Sequence, residues 1–146
     1  MSVSDKSRVE PKRRVQFAFT NEQEEFRAAI RRFLTDKSPT TEVRRLMATT
    51  EGYHRNVWRQ MSEELALPGI AIPEQYGGSG FGMVELCIAL EEMGRALLCA
   101  PFFATAVLAA NAILNCATDA QKSELLPSIA SGARLATLAK FKPCAT

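Results

Sequence analysis

The chain alternates between stretches of helical hydrophobic period and short polar breaks, and the first stretch sets the pattern. Thr20 with Gln23 three residues later forms a capping box. Phe26, Ile30, Phe33 and Leu34 then recur as one apolar stripe that predicts a helix ending at Asp36–Pro39. Val43, Leu46, Met47 and Thr50 predict a short second helix stopped by Gly52. Val57, Trp58, Met61 and Leu65 predict a third, closed before Pro68.

The segment from Pro68 to Gly82 breaks the helical period. It carries Pro68 and Pro73 with five glycines, yet its Ile70-Ala71-Ile72 core is apolar, so it is expected to pack inward. Met83–Leu98 follows as a helix apolar nearly all round, with Glu85, Glu91, Glu92 and Arg95 on one narrow side. Pro101 suits the first position of the next helix. Phe102–Leu114, interrupted only by Thr105 and Asn111, reads as a central helix surrounded by the others.

Thr118 and Gln121 open a last helix with a second capping box, and Ser131-Gly132 closes it. Pro127 is expected to kink or restart it. Arg134–Ala139 reads as the start of a strand with nothing left to pair it. Six helices with short connections predict an all-α bundle with an unpaired C-terminal strand.

Composition changes this picture little. At 146 residues the chain can bury one core, and 47% apolar with 23% charged residues is an ordinary globular balance. The net charge of +2 gathers in Lys6, Arg8, Lys12, Arg13 and Arg14, so residues 1–18 read as a flexible basic tail and no nucleic-acid partner is expected. Arg13-Arg14 is followed by no apolar export segment, and no run is long enough to span a bilayer. A cytoplasmic protein without a membrane partner is the expectation.

Candidate chemistry is sparse. Cys87, Cys99 and Cys116 fall in apolar helical stretches and are expected as small buried side chains, while Cys144 near the terminus is expected to be exposed. His54, the single histidine, reads as a helix-start surface residue, and no metal site is expected. Glu24-Glu25, Glu63-Glu64 and Glu91-Glu92 are neighbours about a hundred degrees apart on a helix, so none is an acid/base dyad. They read as solvated faces, with Glu92 placed to pair with Arg95. Gly77-Gly78-Ser79-Gly80-Phe81-Gly82 fits neither a Walker loop nor a dinucleotide fingerprint. Positive φ and close backbone approach are its expected uses, with pocket lining the alternative. Phe102-Phe103-Ala104-Thr105 reads as core, or as the floor of an apolar pocket.

The run Leu67-Pro68-Gly69-Ile70-Ala71-Ile72-Pro73-Glu74-Gln75-Tyr76-Gly77-Gly78-Ser79-Gly80, leading into a helix that ends Glu91-Glu92-Met93-Gly94-Arg95-Ala96, resembles the N-terminal helical domain of flavin-dependent acyl-CoA dehydrogenases. The resemblance covers about Phe19–Leu138. It implies a helical domain over 19–133 and the start of a β-domain over 134–146. It also implies the family reaction, α,β-dehydrogenation of an acyl-CoA thioester with hydride transfer to FAD, in homo- or hetero-oligomers. Tyr76, Gly77, Gly78, Phe102, Phe103 and Thr105 are the residues it places along the acyl pocket. The family's catalytic glutamate and most flavin contacts come from beyond this chain, so no catalytic or cofactor-binding residue is assigned. Lys140-Phe141-Lys142-Pro143 stands where the family offers an acid before its proline. A truncated or frame-shifted dehydrogenase, not catalytic by itself, is the expectation; an assembly partner of a full-length subunit is the alternative.

Overall fold

The computed structural model describes residues 18–139, and the expectations for most of the basic tail, for Cys144 and for the stretch from Lys140 fall outside them. Six α-helices follow in order: α1 (Asn21–Lys37), α2 (Thr40–Met47), α3 (Arg55–Leu65), α4 (Met83–Arg95), α5 (Ala110–Cys116) and α6 (Asp119–Ala130). Short 3-10 turns at Leu67–Gly69 and Glu74–Tyr76 shape the glycine-rich loop. A π-helical stretch, Phe103–Ala109, runs directly into α5. The bundle is all-α, and no helix among the described residues is long and apolar enough to cross a membrane.

Local chemistry starts these helices as expected. The Thr20 hydroxyl accepts from the Gln23 amide at 3.2 Å and the Gln23 side chain accepts from the Thr20 amide at 3.0 Å, which satisfies two otherwise orphaned donors of α1. Thr118 and Gln121 repeat the box at α6. His54 caps α3, its Nδ1 accepting from the Asn56 amide. Pro127 lies inside α6, which runs past it as one helix without restarting.

Two apolar clusters hold the bundle. The larger joins Ile30 and Leu34 of α1 to Trp58 and Met61 of α3, Leu86, Ala89 and Met93 of α4, and Phe102 and Ala106. The smaller lies under α6, where Leu126, Ile129 and Ala130 meet Ile72 and Ala110. Ile70 and Ile72 are buried, so the loop does pack inward.

Four expectations need correction. The apolar circumference of α4 is covered on one side only, with Met83, Val84 and Cys87 exposed; of the other cysteines expected to be buried, Cys116 at the end of α5 is exposed and Cys99, past α4, is half-buried. The same reason leaves Met47 outside the core, since α2 is one short amphipathic layer whose buried residues are Val43 and Leu46. The helix through Phe102–Leu114 packs along one face and is not enclosed; Phe103 is exposed and Ile113 is half-buried. No strand forms among the described residues. Arg134–Ala139 lies outside any helix or strand, and Ala136 is held by a side chain instead of a neighbouring strand.

Candidate functional site

The glycine loop is fixed by backbone bonds that reach across it. Ser79 donates to the Gly69 carbonyl at 2.9 Å, Gly80 to Ile72 at 2.9 Å and Phe81 to Ile70 at 3.0 Å. A Cβ on Gly78 would lie 2.0 Å from the Ile72 carbonyl oxygen, so only glycine lets the two backbone segments meet. Gly77 takes φ of 79° to reverse the chain. The loop leads to α4 through Glu85, which accepts from the Gly82 amide at 3.0 Å and from the Gln23 side chain at 2.8 Å. Those bonds, the Gln23 one foremost, hold the Glu85 carboxyl below its ordinary range.

At its other end α4 stops three residues earlier than the apolar pattern implies. Leu97 donates to Gly94 and Leu98 to Met93, the paired bonds of a Schellman closure. Leu97 occupies the closing position at φ of 50°, a left-handed conformation usually left to glycine. Its side chain is thereby thrown outward and is 62% exposed. It forms the lip of an open groove of about 270 Å³ with Leu90, Met93, Gly94, Phe102 and Phe103. Phe102 is buried behind the groove, and Phe103 stands exposed at its edge. Every lining residue is apolar or glycine, which suits a hydrocarbon chain or ring system. A larger cleft of about 410 Å³ lies around Tyr53 and His54, but its Arg45 and Arg55 are already bonded to Glu42 and Glu51.

The six residues expected along a pocket are divided by the fold. Phe102 and Phe103 meet at the groove. Tyr76 packs on the smaller cluster beneath α6, Gly77 forms an exposed turn and Gly78 abuts Ile72. Thr105 is fully buried, its hydroxyl donating to the Ala136 carbonyl at 3.1 Å and accepting from the Ala136 amide at 3.3 Å. Leu90, Met93 and Leu97 complete the groove and were not singled out by the sequence. The apolar spacing of Leu90, Met93 and Leu97 on one helical face was their one available signal.

Glu92 overturns the reading of a solvated face. It is fully buried beneath Arg31, whose Nε lies 2.9 Å from Oε2 in a two-pronged contact, and it also receives Arg95 Nε at 2.8 Å. Arg27 approaches at 3.7 Å and bonds Glu91 at 2.9 Å. The Arg31 hydrogen bonds lead in holding the Glu92 carboxyl down at about 2 against the cost of burial. So weak a base is suited to joining α1 to α4, not to taking protons at neutral pH. Among the described residues no cluster of His, Cys, Asp or Glu is placed to hold a metal ion.

The acyl-CoA dehydrogenase N-terminal domain profile matches residues 20–133. The acyl-CoA dehydrogenase IpdE2 of Mycolicibacterium smegmatis is 31% identical over 124 residues, covering 85% of this chain and 38% of its own length. The mitochondrial isovaleryl-CoA dehydrogenase of Arabidopsis thaliana is 33% identical over 130 residues, covering 86% of this chain and 31% of its own. Among solved structures, a variant of the Tcur3481-Tcur3483 steroid ACAD superposes with a TM-score of 0.72 at 34% identity, over 80% of this chain and 31% of that one. The chain thus spans about a third of the length of the relatives it matches. Fold, loop and sequence agree, and the chain belongs to the acyl-CoA dehydrogenase family as its N-terminal helical domain.

Proposed function

We propose that this chain supplies the helical wall of an acyl pocket in a flavin-dependent acyl-CoA dehydrogenase and does not catalyse the reaction alone. The family reaction is α,β-dehydrogenation of an acyl-CoA with FAD as hydride acceptor. The observation that carries the reading is the apolar groove between the end of α4 and Phe103, open on one side as a half-pocket would be. FAD itself does not fit these residues: an all-apolar groove offers no polar side chains to a flavin pyrophosphate. Glu92, the buried carboxylate, is committed to arginines and is no candidate base.

The test has two arms. The chain incubated with FAD and desalted is expected to stay colourless and to reduce no dye with acyl-CoA. A chimera carrying residues 19–133 in place of the same domain of the isovaleryl-CoA dehydrogenase relative is expected to be yellow and active. A retained flavin band in the isolated chain, or an inactive folded chimera, overturns the proposal.

A second reading, docking on a longer dehydrogenase subunit, is favoured by the outer face of α4. Phe19, Met83, Val84 and Cys87 line one apolar hollow there. In that case the chain co-purifies with the longer subunit, and Val84→Glu releases it.

A further inference from the structure

The helix that forms the groove's edge is not α-helical at the groove. Phe103–Ala109 is wound as a π-helix, and at its end the Ala110 amide reaches back five residues to the Thr105 carbonyl while also meeting the Val107 carbonyl. Such a stretch is uncommon because its bonds are less well aligned than α-helical ones, and it persists where surrounding contacts impose it. Two contacts do so here. The Asn111 side-chain amide donates to the Val107 carbonyl at 2.8 Å, an acceptor it shares with the Ala110 amide at the end of the π stretch. The second contact is the Thr105–Ala136 pair. A threonine in an α-helix commonly turns its hydroxyl back to the carbonyl four residues earlier. The Pro101 carbonyl, four residues before Thr105, instead takes the Thr105 amide at 3.1 Å, and the hydroxyl is spent on Ala136.

Ala136 is not a loose partner. The segment leaving α6 is pinned in succession by the Trp58 indole on the Gly132 carbonyl at 2.8 Å, by the Arg134 amide on the Ser128 carbonyl at 2.9 Å, and then by Thr105. Ala136 also packs against the smaller cluster. The exit segment is therefore a fixed rail, and Thr105 is the point at which the groove helix is fastened to it.

We infer that Thr105 is a positioning residue: by holding Ala136 it keeps Phe103–Ala109 in the π register and so sets the direction of Phe103 at the groove. Losing one residue of π winding turns the helix ahead of it by about 100°, one residue's share of an α-helical turn. That rotation carries Phe103 away from Leu97 and Met93 and reshapes the groove wall. The register claim stands on the geometry alone; its bearing on which acyl groups fit rests on the function proposed above.

The experiment is backbone NMR of the chain with couplings read through hydrogen bonds. In the native chain, and in Thr105→Ser, which keeps the hydroxyl, the Ala110 amide couples to the Thr105 carbonyl. In Thr105→Val and in Thr105→Ala, both of which remove the hydroxyl that donates to the Ala136 carbonyl and accepts from its amide, that coupling moves to the Ala106 carbonyl. NOEs from the Phe103 ring to groove methyl groups fall at least threefold in the same two variants. If either folded variant keeps the native coupling, or if Thr105→Ser loses it, the inference is overturned. Thr105→Ala, the smaller change, decides the matter where Thr105→Val does not fold. These readouts use no acyl-CoA, so the proposed function can fail while the register claim holds, and the reverse.

Discussion

Along the α1–α4 seam, arginines from both helices converge on one buried carboxylate, whereas the region under α6 is closed by glycines, an indole and a hydroxyl. Glu92 gathers Arg31, Arg95 and Arg27 above the apolar contacts of Ile30, Leu34, Leu86 and Ala89. Under α6 the close approaches are Gly69 to Ala130, Gly78 to Ile72 and Gly132 to Ser62, with Trp58 and Thr105 bonding to backbone. The first seam is held by charge and answers to pH. The second is held by shape, and it surrounds the loop and the groove helix. Rigid backbone is thus concentrated where the proposed pocket needs it.

The shape-held region should be the more fragile to a single added carbon. Gly78→Ala drives a methyl into the Ile72 carbonyl, where backbone must move on both sides. A loss of about 3 kcal/mol or more is expected, near the limit for one substitution. Urea unfolding followed by Trp58 fluorescence measures it. A near-native midpoint would show that the loop yields and that shape does not govern this half.

Next in size is the charge-held seam. Glu92→Gln leaves three arginines around a neutral amide, and a loss of about 3 kcal/mol is expected at neutral pH. The pH dependence gives a sharper reading. The Glu92 carboxyl titrates at 4.5 in the unfolded chain and at about 2 in the folded one. Its contribution is therefore complete above pH 4.5 and lost as pH falls through 2, because the unfolded state takes the proton first. Thermal melts from pH 6 to 2 should find the native chain and Glu92→Gln converging toward the acid end. Parallel curves would mean that the arginines contribute nothing through this carboxylate.

How much of this was readable beforehand follows the range of the interaction. The Thr20–Gln23 and Thr118–Gln121 boxes were legible because cap and partner lie three residues apart. The use of Gly78 was legible in kind, but its partner Ile72 is known only once the loop folds. Arg95 could be matched to Glu92 by helical spacing, while Arg31, 61 residues away, could not. The early end of α4 was hidden because leucine, not glycine, takes the left-handed position at Leu97. Thr105, in the run Phe102-Phe103-Ala104-Thr105, was read as core or as the floor of an apolar pocket, and the family resemblance placed it along the pocket. Its burial depends on a segment 31 residues later, which looked like a strand because β-like composition does not say what will accept its hydrogen bonds. The face of α4 bearing Cys87 was read as buried, since composition cannot say how many neighbours a helix will have.

A smaller test separates the two regions at their shared residue. Trp58 packs in the larger cluster, yet its indole donates to Gly132 beyond α6 at 2.8 Å. Trp58→Phe keeps most of the packing and removes the donor, so a loss of about 1–2 kcal/mol is expected. Hydrogen exchange should show that loss first at Arg134 and Ala136, with the α1 amides unchanged. If α1 loses protection equally, the two regions unfold as one unit and the contrast drawn between them fails.

The smallest effect is the cap of α1. Thr20→Ala removes the acceptor for the Gln23 amide and should cost about 1 kcal/mol. Gln23 also reaches Glu85 at the start of α4, so the cap and the interhelical contact share one side chain. With that half of the box broken, the Gln23 side chain keeps the residue-20 amide and Glu85 but its own amide loses its acceptor, and the first turn of α1 is expected to fray while Arg27 and Arg31 stay fastened farther along. Exchange at the Gln23 and Glu24 amides should then rise about fivefold, as about 1 kcal/mol requires. Thr118→Ala provides the matched control, because its box partner Gln121 has no such second bond among the described residues. A larger loss at Thr20 than at Thr118 would mean that the charge-held seam begins at the cap; equal losses would confine it to the arginines around Glu92.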